Sequence, residues 1–487
     1  MQQYLTYEAF GAAGDGVCDD MPAIVRTHAE AGRLGLPVRA REGACYYISP
    51  KAVTAVITTD TDWTGAKFII DDRGCEDRAA AVFSVPPMEE EVPLSLSRLV
   101  RGTQQLENPC GRDLYVSVEN ANHRDYIRQG LNQNNGFPRQ DCLLLLADGS
   151  LSSAVSFDFD EVTRATARPV EETALRLTGG EFTTVANPED CTLTPYTATC
   201  RNIHIRRSNV EVCGLTHFVE GEGKTGTAYS GFLRFSDCAR IRVHDCLFTA
   251  HYIYWCTGSA GKPVAMGSYD ILCDRCVDIR FDSCRQTTDI TDGRYWGLFS
   301  SNFCRDMVLE NCVFSRYDTH MGVTNCTLRG CTFGHQCINI IGNGSFLIED
   351  THVYAVWFAH LREDYGSTFR GDITIRNCVW HPSGSGRHLF YAFNGGRHDF
   401  GYTCYLPQEL VIDGLTVEES APGSEPLAVF CDYLYTTADY MLLDETLPQD
   451  YLPVPPRTVT VKNLHAAHSI QLCTNPELLQ QTVFTVL

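Results

Sequence analysis

An all-β chain wound as a parallel solenoid is predicted by three observations: a short strand pattern that recurs along the sequence, a small residue that closes each copy at one fixed place, and a length that a solenoid holds without splitting its core. Cys238–Cys246, Cys276–Cys284 and Cys304–Cys312 share the pattern. In each, apolar residues (Ile241 and Val243, Ile279 and Phe281, Met307 and Leu309) alternate with polar ones, and a cysteine ends the run. A period of two marks a strand with one buried face. Weaker copies extend both ways and give a closing column at Ser208, Cys246, Cys284, Cys312, Cys331, Thr351, Cys378, Leu415 and Leu464. Its shortest steps are about twenty residues, the length of one coil. Longer steps imply loops inserted between strands, and such loops usually build a binding face. The column cysteines read as an inward-facing stack of small apolar side chains.

The elements follow in chain order. Gly11, Gly14 and Gly16 allow a tight turn. Asp20 can cap a helix that begins at Met21, with Pro22 tolerated in its first turn. Ile24, Val25, His28 and Ala29 form an apolar stripe that Gly32 or Gly35 ends, and a strand over Cys45–Ser49 follows. We expect a single domain over 1–487: a cap and first coils over 1–50, an inserted loop region over 100–140, regular coils over 175–465 and a C-terminal end over 466–487. The insert, with Tyr126, Arg128, Asn132 and Asn135, is rich in Arg, Asn and Gln, which grip sugar hydroxyls.

Composition narrows the partners. A net charge of −21 and a pI near 5.1 leave no basic footprint for nucleic acid. An anionic ligand remains compatible, because positive charge sits on arginine, with lysine only at 51, 67, 224, 262 and 462, and arginine suits planar carboxylates. No segment approaches the roughly 20 apolar residues of a membrane span. No secretion signal is visible at Met1–Phe10, which implies a cytoplasmic protein, or a secreted one if a signal peptide was removed. The 23 cysteines without a signal favour buried thiols over a disulfide framework. No matched CxxC pairs occur, so no zinc site is expected, and no cofactor is implied.

Equivalent residues of successive coils lie side by side, so positions just after the closing column can line one groove. They are His251, Asp289, the run Arg316, Tyr317 and Asp318, and His335. A slip of one residue would turn any of them inward. Two segments are dense in chemistry: Asp289 and Asp292 with Tyr295 and Trp296, and Arg316 through His320. Arg362 and Asp364 fall about one coil later; Arg362 could hold a substrate carboxylate or pair with its own neighbours. Paired carboxylates suit glycoside hydrolysis, a histidine beside a carboxylate suits proton transfer, and aromatic rings stack on sugar faces. Each aspartate could instead cap a turn.

The opening Phe10-Gly11-Ala12-Ala13-Gly14-Asp15-Gly16-Val17-Cys18-Asp19-Asp20, a short helix and then Tyr46-Tyr47-Ile48-Ser49 resemble the start of the pectate-lyase-superfamily β-helix proteins. That group includes polygalacturonase-like hydrolases, polysaccharide lyases, epimerases and phage tailspikes. The resemblance implies a right-handed parallel β-helix with a short N-terminal capping helix, acting on a polysaccharide or oligosaccharide. Thr288-Asp289 and Gly334-His335 are similar to two polygalacturonase motifs, whose paired aspartates and final Arg-Ile-Lys are missing here. Asp318-Thr319-His320 is similar to the Asp-x-His of alginate epimerases, and the calcium-binding acids of pectate lyases are not found.

Three functions follow as expectations. The first is a glycoside hydrolase with Asp289 and Asp318 as acid and base or nucleophile and His320 as a relay. In it, His251, Asp292, Trp296, Arg316, Tyr317, His335, Arg362 and Asp364 bind substrate. The second is a uronate lyase or C5-epimerase with His320 or Tyr317 as base and an arginine on the carboxylate. The third is a glycan-binding, tailspike-like solenoid without turnover.

Overall fold

A computed structural model describes residues 4–128, 134–259, 261–384, 387–392, 402–418, 425–431, 454–473 and 480–487. Among the described residues, thirty-four strands join into one continuous parallel sheet wound as a right-handed β-helix. One core ladder runs through Leu175, Val210, Ile241, Ile279, Met307, Cys326, Phe346, Ile373, Leu410, Val459 and Phe484, each the register partner of the next. The alternation read from the sequence is the alternation between this interior and solvent. Cys246, Cys284, Cys312, Cys331 and Cys378 are all buried, and each cysteine of the chain is a free thiol. A second buried column, Cys238, Cys276 and Cys304, opens the same repeats, with the Cys238 and Cys276 Sγ atoms 3.6 Å apart.

The residue before every closing position except Ser208 explains the sharp corner there. Asp245, Ser283, Asn311, Gly330, Asp350, Asn377, Gly414 and Asn463 all have φ between 49° and 81°. Asn, Asp and Gly are the residues that tolerate this left-handed conformation at least cost.

The helix Met21–Leu34 covers the first coil and ends at Gly35, whose N–H bonds the Ala31 carbonyl. Asp20 precedes the helix but does not cap it with its side chain. Its carboxylate turns back to accept the Ala13 and Gly14 N–H groups at 2.6 and 3.1 Å, so it shapes the glycine turn.

Residues 86–172 interrupt the coil, since Phe83–Val85 pairs directly with Ile203–Ile205. The segment 100–140, expected as a loop, contributes two of the three strands of an antiparallel sheet: Leu114–Asp125, Phe137–Leu145 and Arg164–Pro169. That sheet has its own core of Leu114, Val116, Val118, Leu143, Leu145 and Phe159. Its other face, through Tyr115, Cys142 and Leu144, packs on Ala239 and Val277 of the coil. The fully buried Arg305 fixes the contact, donating to both Asp141 oxygens at 3.1 and 2.6 Å. Asn132 lies outside the described residues. No helix among the described residues is long and apolar enough to cross a membrane.

Candidate active site

One outward-facing row defines the site. Leu272, Ser300, Asp318, Asn339, His360 and Tyr391 are consecutive register partners. The inward row beside it is Ile271, Phe299, Tyr317, Ile338, Ala359 and Phe390. Tyr317 is therefore a core residue, fully buried, with its hydroxyl 3.1 Å from the Cys326 Sγ and 3.2 Å from the Met307 Sδ. It can neither touch substrate nor serve as a base.

Asp318 is 0% exposed yet charged. Its carboxylate accepts from the Tyr269 hydroxyl at 2.5 Å, from Arg316 Nη2 at 2.9 Å and from Arg362 Nη1 at 2.8 and 2.7 Å. Burial would raise its pKa, but the Arg316 and Arg362 guanidiniums outweigh burial and hold it well below the ordinary carboxylate range. Arg362 also grips Asp364 through Nε and Nη2 at 3.1 and 2.9 Å. Asp364 in turn accepts from Arg128 at 2.6 Å, and it too is held low by these arginines against burial. Arg128 comes from the inserted segment, so the insertion closes one side of the site. Arg316 lies over the Trp296 ring at 4.6 Å. A Cβ at Gly297 would come within 2.7 Å of the Arg316 Cβ, so only glycine admits that guanidinium.

His320 stands among these groups. Its Nδ1 lies 3.1 Å from the Asn302 Oδ1; an amide oxygen only accepts, so Nδ1 carries the hydrogen and Nε2 keeps its lone pair. Nε2 has no hydrogen bond among the described residues. Burial, then Arg362, depress the imidazole pKa to about 4 despite Asp318 and Asp364. His320 is neutral at pH 7. Asn339 joins this cluster to its neighbour: its Oδ1 accepts from His360 Nδ1 at 3.0 Å, and His360 Nε2 pairs with Glu363. Trp357 packs on Tyr391 at 4.4 Å and near His360 at 5.9 Å, giving half-buried rings along the row.

Asp289 sits elsewhere. It is exposed and caps a turn, accepting from the Thr291 N–H and hydroxyl, both at 2.8 Å, bonds that hold its carboxyl below the usual range. Residues 287–297 loop out of the coil, so the register partner of Asp318 in that coil is Ser300 and not Asp289. Asp292 is paired with Arg294, which, with the Arg294 N–H, takes its pKa down to about 2. His335 is half-buried under this loop, its N–H donating to the Ile290 carbonyl at 3.0 Å, and neither ring nitrogen has a hydrogen-bond partner among the described residues. Its pKa is lowered by burial, then by Arg316.

His251 is fully buried and cannot reach a substrate. It stacks on Tyr229 at 4.6 Å, with Nδ1 3.0 Å from Glu222 and Nε2 3.5 Å from Asp270. Burial opposes its charge, but Glu222 and Asp270 prevail and raise it to about 9. Asp270 is also bonded to His217 at 2.8 Å, completing a buried acid–imidazole chain one residue from Tyr269.

The structure thus brings Asp318, His320, Arg316, Arg362, Asp364 and Trp296 together and leaves Asp289 and Asp292 on a neighbouring loop with His335. Arg128 was expected only as part of the insert that grips sugar; sequence reasoning missed Tyr269, Asn302, Asn339, His360, Glu363 and Tyr391. For Asn339, His360 and Tyr391 a signal existed: each faces out on a strand next to an apolar residue that faces in.

No family model and no curated protein matches the chain. Solved structures do. The tailspike gp61 of Pseudomonas phage phi297 superposes with a TM-score of 0.54 at 9% identity, covering 96% of this chain and 81% of its own. The gp54 tailspike of Acinetobacter baumannii bacteriophage AP22, solved with A. baumannii capsular saccharide, gives 0.51 at 7% identity over 99% and 79%. The tailspike gp49 of Pseudomonas phage LKA1 gives 0.50 at 11% identity over 99% and 84%. These likenesses establish the parallel β-helix fold that the opening motif implied.

Proposed function

We propose that the protein is a carbohydrate-active enzyme that removes a proton from a uronate residue of an acidic polysaccharide, the step shared by lyases and C5-epimerases. The observation that carries the reading is His320, a neutral imidazole with a free Nε2 and a tautomer fixed by Asn302. A hydrogen on the carbon next to a carboxylate is acidic only if the charge that builds on that carboxylate is stabilised. Around His320 the guanidiniums of Arg128, Arg316 and Arg362 face the carboxylates of Asp318 and Asp364. These guanidiniums place positive charge beside the imidazole, within a protein of net charge −21. The proton passes to His320 Nε2. Breaking of the C4–O4 bond, with the departing oxygen taking a proton from solvent, then gives an unsaturated sugar, or a proton returned from solvent to the other face of C5 gives the epimer. Trp296, Trp357 and Tyr391 supply rings for neighbouring sugars.

Hydrolysis by Asp289 and Asp318 is the weaker reading. A general acid must keep its proton near neutral pH, and both carboxyls are held below the ordinary range. A panel of uronate-containing and neutral polysaccharides, followed by ultraviolet absorbance and product mass, tests the proposal. Unsaturated or epimerised products from uronate polymers alone support it. Products that gain one water per cut establish hydrolysis instead, and saturable binding without product establishes a glycan-binding solenoid.

A further inference from the structure

Three potential metal ligands converge on a strand ladder other than the one carrying Asp318. Cys213 ends the strand Val210–Cys213, His244 ends Ala239–His244, and the two are direct register partners on adjacent coils. Asp245 follows at the left-handed corner, φ 55°. The Cys213 Sγ, a ring nitrogen of His244 and a carboxylate oxygen of Asp245 lie within 4.8 Å of one another. A tetrahedral zinc ion with bonds of about 2.0–2.3 Å needs its ligand atoms roughly 3.3–3.6 Å apart, which rotation of the Asp245 side chain, 67% exposed, can supply around the half-buried Cys213 and His244.

The surroundings favour a cation. His244 Nε2 is 3.0 Å from Glu211 Oε1, and Glu211 is held by Arg176 Nε at 3.1 Å. A metal-bound histidine typically gives its other N–H to a carboxylate, which fixes the ring and strengthens the ligand. Glu211 fills that role, and His244 Nδ1, 2.9 Å from Asp245, is left facing the would-be ion. The thiol excludes hard oxygen-seeking cations and selects zinc or a related borderline-soft ion. Burial, then Asp245 and Glu211, keep the Cys213 thiol protonated in the absence of an ion, so binding must displace a proton.

We infer that Cys213, His244 and Asp245 form a zinc-class site that clips two coils together, with Glu211 as the group that orients His244 and solvent completing the shell. Cobalt chloride is titrated into the reduced full chain, then displaced with zinc chloride. The inference predicts one equivalent of cobalt with a thiolate-to-cobalt absorption band, lost on zinc addition and absent in Cys213→Ser. Glu211→Gln, which touches no ion, should weaken binding by roughly 10–100-fold while the ion-free protein melts as the wild type does. Two results overturn the inference: no stoichiometric cobalt binding, or a band that survives Cys213→Ser and disappears only in Cys18→Ser or Cys110→Ser, the exposed thiols.

Discussion

Replacing Asp318 by Asn separates the two aspartates that the sequence placed together. The carboxylate accepts four hydrogen bonds, three of them from guanidiniums, in a place closed to water. An amide keeps one accepting oxygen and turns an NH2 group toward a cation. Removing one partner of a buried ion pair costs about 3–5 kcal/mol. Arg362 keeps Asp364, which argues for the lower end, about 3 kcal/mol. Unfolding entropy of about 2.1 cal/mol/K per residue, over 487 residues, gives roughly 1 kcal/mol/K. Asp318→Asn should therefore lower Tm by about 3 °C if the coil melts as a unit. Asp289→Asn changes an exposed turn where Asn makes the same cap, and should move Tm by less than about 0.5 °C, within the usual range for surface changes. Because Asp318 has a depressed folded pKa, its contribution is present above the unfolded value and is lost only as pH falls through the folded one. The gap between the variants should thus persist at pH 4. Circular dichroism melts at pH 7 and pH 4 measure both. Equal Tm values for Asp318→Asn and wild type, or an Asp289→Asn variant as damaged as Asp318→Asn, would refute the assignment.

His251 is protonated in the fold well above its ordinary pKa, so its stabilisation is complete below about pH 6.5 and lost as pH rises through 9. Melts should show a decline on the order of 3 kcal/mol across that window, absent in a Glu222→Gln, His251→Gln double variant. A Cβ at Gly334 would lie 1.8 Å from the Ile290 carbonyl oxygen, so Gly334→Ala should lift the 287–297 loop off His335; faster amide exchange confined to that loop checks it. All 23 thiols should titrate in denaturant without reductant, whereas in the native protein Cys18 and Cys110 should react first.

Much of the fold was legible because the coil repeats two local rules, alternation along the strand and a left-handed corner before the closing residue. Asp245, Ser283, Asn311, Gly330 and Asp350 write that corner directly into the sequence. The site was less legible because counting from the closing column fails wherever a loop intervenes. Residues 287–297 shift Asp289 out of register with Asp318, and strand parity turns Tyr317 inward although its neighbours Arg316 and Asp318 face out. Arg128 comes from an insertion more than 200 positions upstream of its partner Asp364, and no local pattern links them. The Cys213 and His244 pairing is also a contact between coils, so no short ligand motif announces it.

Proton transfer to His320 is the step on which the proposed reaction depends. The direct measurement is turnover in deuterium oxide on whichever uronate polymer reacts, with wild type and His320→Gln compared across pH. The wild type should give an unsaturated product or deuterium at C5, with kcat/KM falling only as pH drops toward about 4. His320→Gln should lose at least about 10²-fold in kcat, with the fold intact. Near-wild-type turnover by His320→Gln, or products that carry added water and no deuterium at C5, would contradict it.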